Sequence, residues 1–449
     1  MTTDPGGWGA DYSRSLQGRD PARASALGAW GTPPALAARV ADATLAHASD
    51  AATVLDPFCG GGALLVAAAR ALWARRGDHT PDARVATALA QLRGWEIDPD
   101  AADVARRALA TAADAPPGAL DVVIQVRDAL ASDAKAAVDV VLTNPPWVGA
   151  DAMSADPARR RDLARRFATA RGNWDLFVPS LEATLGWVKP GGVLGLLAPD
   201  KLAAAPYADK LRVRLHGEGH VVWTERFPRG AFDAEVDTLA LVRLQGVGAA
   251  LRADAPRWPT DGGPWPLDPH DAALLQAYAG HPTLGALAEV CAAATVAEAY
   301  AWRDAIATGV PDATHLACVN TGTIDPLRSL WAERPLRYLG RQIATPVIDL
   351  AALSARRVAQ ARRPKLIVAG LAKRLEVVLD RQGALVGLKS TVLVMPHDPR
   401  DLGRLAAWLD SDEASALYRA RHGGLGFSGG HLRMGAPELR SLPVPSRTG

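Results

Sequence analysis

Thr53-Val54-Leu55-Asp56-Pro57-Phe58-Cys59-Gly60-Gly61-Gly62 runs straight into an alanine- and leucine-rich stretch from Ala63 to Arg76. A short apolar run, a glycine-rich turn and a helical pattern, in that order, predict the opening of an α/β unit. In such a unit, glycines let the backbone approach a ligand closely at a helix N-terminus. No Gly-Lys-Ser/Thr follows, so the turn is not a phosphate loop. Cys59 reads as a small packed residue, because no histidine partner lies near it in the sequence.

Outward from this turn, Leu92-Arg93-Gly94-Trp95-Glu96-Ile97-Asp98 reads as a second strand ending in acids. A carboxylate at that strand end is placed to accept from a vicinal diol, and Glu96 is the candidate; Asp98 reads as the cap of the next helix. A third strand, Asp121 to Val126, ends at Arg127-Asp128-Ala129. The fourth is an apolar run led in by Asp139 and Val140, Val141-Leu142-Thr143, which delivers Asn144-Pro145-Pro146-Trp147 to its carboxyl end. Two prolines remove two backbone donors and fix φ, which leaves the carbonyls of Asn144 and Pro145 free to accept. That suits an exocyclic amino group in the plane of an aromatic ring, with Trp147 as a stacking face. A proline turn with a packed tryptophan is the plainer alternative. Asp56, Glu96, Asp128 and Asn144 would then converge on one edge of a parallel, doubly wound sheet.

Asn144-Pro145-Pro146-Trp147 resembles the Asn-Pro-Pro-aromatic motif of amino-group methyltransferases, above all the DNA adenine-N6 methyltransferases. Asp56-Pro57-Phe58-Cys59-Gly60-Gly61-Gly62 is similar to the Asp-Pro-x-x-Gly-x-Gly motif of the same family. The order of the two motifs resembles the gamma, or Taq-type, class and the methyltransferase and target-recognition part of type IIG restriction-modification enzymes. This resemblance implies a class I Rossmann-like fold, a seven-stranded mostly parallel sheet followed by a C-terminal α+β target-recognition domain. It implies S-adenosylmethionine as cofactor, held by Thr32, Asp56, Pro57, Phe58, Gly60, Gly62, Glu96, Ile97, Asp128 and Ala129. Thr32 would close over the methionine end and Asp128 would accept from the adenine amino group. Asn144, Pro145, Pro146 and Trp147 would act on an adenine flipped out of double-stranded DNA, with no metal. Two further readings stay open: an RNA guanine-N2 methyltransferase and a non-catalytic DNA-binding subunit.

The predicted organisation is a loose polar lead-in over 1–25, a catalytic domain over 26–245, a surface linker over 246–270 and a recognition domain over 271–449. Thr32 lies in reach of the N-cap position of a helix read as Ala35 to Ala48. Val188-Lys189-Pro190-Gly191-Gly192 reads as a turn before a strand from Val193 to Ala198, with two more strands at Val221 to Arg226 and Asp237 to Leu244. Arg159-Arg160-Arg161, Arg165-Arg166 and Arg171 make either a solvated face or a phosphate contact. From Arg328 to Lys389 there are 13 Arg or Lys against 4 Asp or Glu, for which phosphate is the natural partner. The glycine-rich stretch from His422 to Arg433 and the Leu-Pro-Val-Pro ending resemble the close of Taq-type enzymes.

A chain of 449 residues, 49% hydrophobic and 22% charged, is globular and large enough for two cores. Three scattered cysteines argue against a disulfide framework or a zinc site. The polar N-terminus is no signal peptide, and no apolar run is long enough to span a bilayer. The expectation is a cytoplasmic protein without membrane contact; a separate restriction or defence-system subunit is left open as a partner. No helicase motif is present, and the residues before the first motif are too few for a nuclease domain.

Overall fold

The chain divides into two units, Met1–Leu267 and Asp268–Gly449. A computed structural model describes residues 3–28, 30–217, 219–227, 237–246, 258–259, 262–422 and 431–446. Most of the predicted glycine-rich ending, Gly423 to Gly430, lies outside the described residues, as do 247–257 of the expected linker.

The first unit opens with α1 (Trp8–Arg19), α2 (Pro21–Leu27) and α3 (Pro34–Leu45). The alternation then begins with β1 (Val54–Asp56), α4 (Ala63–Arg76), α5 (Pro81–Gln91), β2 (Leu92–Glu96), α6 (Pro99–Ala112), β3 (Ile124–Val126) and β4 (Val138–Thr143). It continues through α7 (Ala150–Met153), α8 (Pro157–Arg166), α9 (Phe177–Leu185), β5 (Val188–Pro199), α10 (Lys201–Ala204), α11 (Asp209–Gly217), β6 (Gly219–Phe227) and β7 (Thr238–Gln245). Seven strands form one sheet in the order β3-β2-β1-β4-β5-β7-β6, parallel except for β7, which runs antiparallel to both neighbours. This is the expected mostly parallel seven-stranded sheet of a class I methyltransferase fold.

Period-two alternation gives the sheet two buried faces. On β4, Val140 and Leu142 join one core with Val54 of β1 and Leu36, Leu65 and Leu109 of the helices on that side. Val141 points into the opposite core with Leu55, Phe177 and Leu211. The order reverses between β1 and β4, and at such a switch point the carboxyl ends of the strands open a crevice.

Three sequence expectations for this unit need correction. Residues 3–25 are not a loose lead-in: Asp4 and Asp20 cap helical turns, and α1 buries Gly9, Ala10, Ser13 and Leu16. The buried stripe has helical spacing, but it is built of small residues, so it carries almost no hydrophobic signal. Lys189 to Gly192 form a bulge inside β5 rather than a turn before it, as pairing jumps from Val138↔Val188 to Val140↔Val193. Lys189 Nζ there donates to Asp139 at 2.8 Å and holds that carboxyl down at about 2. The described end of the expected linker is core: Trp258 and Trp265 stack with centroids 4.3 Å apart, and both are buried. The Trp265 amide donates to Ala203, and the buried Arg212 donates to the carbonyls of Gly262 and Gly263. The first unit therefore reaches Leu267 instead of stopping near Gln245.

The second unit is α+β. One antiparallel four-stranded sheet runs Val377–Asp380, Lys365–Ala369, Thr391–Pro396, Ala288–Ala292 and shares its core with the helices Leu402–Leu409 and Asp412–His422. A second sheet runs Leu385–Gly387, His315–Val319, Pro346–Asp349, Ile306–Thr308. The basic stretch is less free than its charge count implies. Lys365 is fully buried against Asp380 at 2.5 Å, while Arg328 pairs with Glu333, Arg357 with Glu298, Arg363 with Glu289, and Arg374 with both Asp410 and Asp412. Most of these acids lie outside the stretch, where a local count cannot see them. Among the described residues, no helix is long and apolar enough to cross a membrane.

Candidate active site

The carboxyl ends of β1, β2, β3 and β4 open onto one cavity of about 410 Å³, and Asp56, Glu96, Asp128 and Asn144 all line it. That volume lies within the range of small-molecule sites.

Glu96 is anchored from behind. Its Oε2 accepts from the Gly60 amide at 2.8 Å and its Oε1 from the Asp98 amide at 2.8 Å, so the glycine-rich turn and the end of β2 orient one carboxylate. Burial raises its pKa, and each oxygen keeps a further lone pair for a hydroxyl. Asp56 is buried at the end of β1 and accepts from the Phe58 amide at 3.1 Å. Burial pushes its pKa up to about 8, and the neighbouring Glu96 charge adds to the rise. Burial also drives the Cys59 thiol well above its usual range, which leaves it inert as a nucleophile.

Asp98 caps α6 as expected and is also bound from the far side: Tyr12 Oη donates to it at 2.6 Å, and Arg23 pairs with it at 2.6 Å. Ile97 and Ala129 line the cavity beside it, together with Pro57, Phe58 and Gly60. Gly62 is the N-cap of α4 with φ +86°, a left-handed conformation that favours glycine, and it does not line the cavity. Asp128 accepts from the Leu130 amide at 2.9 Å and pairs with Arg159 of α8 at 3.2 Å. Three more arginines of the cluster are tied down. Arg160 lies over the Trp174 ring at 4.7 Å and donates to Gly172, and Arg166 and Arg171 donate to the carbonyls of Leu130 and Ala164. These three hold the loops around the site, and only Arg159 of the cluster lines the cavity.

The segment before α3 runs beside the loop after β4. Thr32 is not the N-cap of α3; that position is Pro33, and Thr32 is buried with its Oγ1 accepting from Asn144 Nδ2 at 3.1 Å. The other end of the Asn144 amide, Oδ1, is buried with no hydrogen-bond partner. Among the described residues, the Pro145 carbonyl accepts no hydrogen bond either. Gly28, with φ +59°, packs so tightly that a Cβ there would sit 2.6 Å from the Trp147 amide nitrogen. Trp147 departs from expectation: it is partly exposed, packs against the core shared by α3 and α4, and does not line the cavity. The aromatic side chains that do line it are Tyr12, Trp30 and Phe58. Tyr12 and Arg159 were missed as site residues because each reaches the cavity from a helix surface, with no motif around it.

Residues 31–170 match the family model of the RMKL-like methyltransferase domain, and residues 119–223 match that of the Eco57I restriction-modification methylase. The first unit is a restriction-modification-type methyltransferase domain. S-adenosylmethionine is its cofactor, and the anchored Glu96 carboxylate, the close-packed glycine turn and the cavity volume fit that group. No curated protein sequence matches the chain. Among solved structures, the type IIL restriction-modification enzyme MmeI, in complex with DNA, is similar over 98% of this chain and 71% of MmeI, at 13% identity and a TM-score of 0.57. The type IIG restriction endonuclease BpuSI is similar over 93% of this chain and 58% of BpuSI, at 14% identity and a TM-score of 0.46. A class I S-adenosylmethionine-dependent methyltransferase from Listeria monocytogenes is similar over 55% of this chain and 69% of that one, at 19% identity and a TM-score of 0.39. At these identities the likeness is one of fold. The chain spans less than two thirds of BpuSI, and the methyltransferase family matches stop at residue 223.

Proposed function

We propose that the chain is a site-specific DNA adenine-N6 methyltransferase of a restriction-modification or related defence system, with the second unit as its target-recognition domain. The observation that carries this reading is the pair of idle acceptors at the end of β4. Asn144 and Pro145 both line the cavity, and among the described residues neither the buried Asn144 Oδ1 nor the Pro145 carbonyl has a partner. A buried acceptor left unsatisfied costs about 1–3 kcal/mol, and an exocyclic amino group brings the N–H groups that remove this cost. Holding both N–H groups turns the nitrogen lone pair out of the ring plane and aims it, which is catalysis by orientation and preorganised polarity. The cofactor supplies the methyl group. No general base is needed beforehand, since the methylated, cationic nitrogen loses its proton to water.

Glu96 fits a ribose diol and Asp128 an adenine amino group. Trp147 is partly exposed and does not line the cavity, and it is assigned the stacking of a base flipped out of a duplex. The similarity to MmeI extends over nearly the whole chain, second unit included, and supports DNA as the substrate.

A host expressing the protein should acquire N6-methyladenine within one short DNA context, read by native long-read sequencing and by mass spectrometry of digested nucleosides. Asn144→Ala should lower transfer by about 100-fold or more while cofactor binding measured by calorimetry persists. New N2-methylguanine in RNA with unmodified DNA would move the assignment to an RNA enzyme. No new mark in either would point to a non-catalytic DNA-binding subunit.

A further inference from the structure

We infer that Thr32 is a positioning residue that fixes which end of the Asn144 amide faces the substrate. This deepens the proposed function and rests on it.

An asparagine side chain presents an acceptor and a donor group of nearly the same shape, and its terminal torsion is broad and roughly two-fold. Rotated by half a turn, Asn144 would offer the cavity an NH2 group, which repels an amino substrate instead of holding it. The backbone at the end of β4 does not choose between these orientations. The choice is made by the hydrogen bond from Asn144 Nδ2 to Thr32 Oγ1 at 3.1 Å, the one bond of that side chain among the described residues. Thr32 is 5% exposed and lines the cavity beside Asn144, so water competes poorly for this bond. The reversed pairing, with the hydroxyl donating to Oδ1, would leave the amide N–H groups unpaired in a buried site. Native structures tolerate an unpaired N–H less well than an under-satisfied carbonyl. Thr32 and Asn144 together thus hold the orientation with the carbonyl idle.

Thr32 is itself held in register. Its chain segment is pinned at Gly28 against Trp147, and at Gly31, where a Cβ would lie 2.3 Å from the Ala10 Cα. The hydroxyl reaches Asn144 because this stretch lies along the loop after β4. With its acceptor turned to Asn144, Thr32 acts on the amino substrate through Asn144.

Thr32→Val keeps the shape and removes the acceptor; Thr32→Ser keeps the acceptor and removes the methyl. Thr32→Val should lower kcat by roughly 3- to 10-fold, the worth of one neutral hydrogen bond. Cofactor affinity by calorimetry should stay at the wild-type value, and Thr32→Ser should restore kcat. The variant should also bind duplexes carrying adenine or unsubstituted purine at the target position with more nearly equal affinity than the wild type does. Three results overturn the inference: unchanged kcat and discrimination in Thr32→Val, a loss of cofactor affinity as its main defect, or failure of Thr32→Ser to rescue. The wild-type assay is read first. If the wild type methylates no amino group, the proposed function and this inference fall together; if it does and Thr32→Val is unimpaired, only the role of Thr32 falls.

Discussion

Asp56 shows how burial sets a residue's chemistry. Its pKa stands at about 8 against an ordinary 3.8, chiefly because the end of β1 is dry. Protonation is therefore favoured in the folded state. Below 3.8 both states hold the proton and the associated stability is fully present. As pH rises from there through about 8 the unfolded chain ionises freely, while the folded chain must ionise a buried carboxyl, and that stability is lost. Asp56→Asn keeps the shape without the titration. The thermal midpoint of the wild type relative to Asp56→Asn should thus fall as pH is raised across this window, and a difference independent of pH would refute the assignment. The aspartate itself was plain from its motif; its protonation state was not, because it depends on the neighbours that dry it.

Among the elements, α1 has the largest consequence that the sequence concealed. Gly9 on α1 meets the glycine-rich turn backbone to backbone, and a Cβ on Gly61 would sit 2.3 Å from the Gly9 Cα. Gly61 occupies a variable position of the Asp-Pro-x-x-Gly-x-Gly pattern, so the motif gives no reason for glycine there; the packing does. Gly61→Ala should push α1 off the turn at a cost of about 1–3 kcal/mol, as overpacking does. Titration calorimetry should then show cofactor affinity falling by about tenfold or more. Gly18→Ala on the same helix, where a Cβ meets nothing within 4 Å, is the control and should leave affinity unchanged. Equal affinities for both variants would separate α1 from the cofactor site.

For the whole molecule, the division at Leu267 has a direct test. Each unit has its own buried cores, so residues 1–267 should fold and bind S-adenosylmethionine but lose site-specific DNA affinity. Ending the chain at Gln245 removes Trp258 and Trp265 from the core they share with Leu55, Phe177 and Leu211. Trp265→Ala alone should cost about 3–5 kcal/mol in denaturant unfolding, and the shorter fragment should be less stable still. Equal stability of the two fragments would restore the linker reading.

What the sequence determined by itself was the sheet and its chemical edge. Strand periodicity, the glycine-rich turn and Asn-Pro-Pro-Trp are local patterns of a few adjacent residues, and local patterns survive in one dimension. They located β1 to β4, the acids at three strand ends and Asn144. Tertiary structure alone decided what those residues are attached to. The bond from Asn144 to Thr32 spans 112 positions, that from Tyr12 to Asp98 spans 86, and that from Glu298 to Arg357 spans 59. The small-residue stripe of α1, the tryptophans of the supposed linker and the neutralised arginines share one physical cause. Their roles come from close packing and charge pairing with distant segments, and neither leaves a period or a composition in the stretch of chain that carries it.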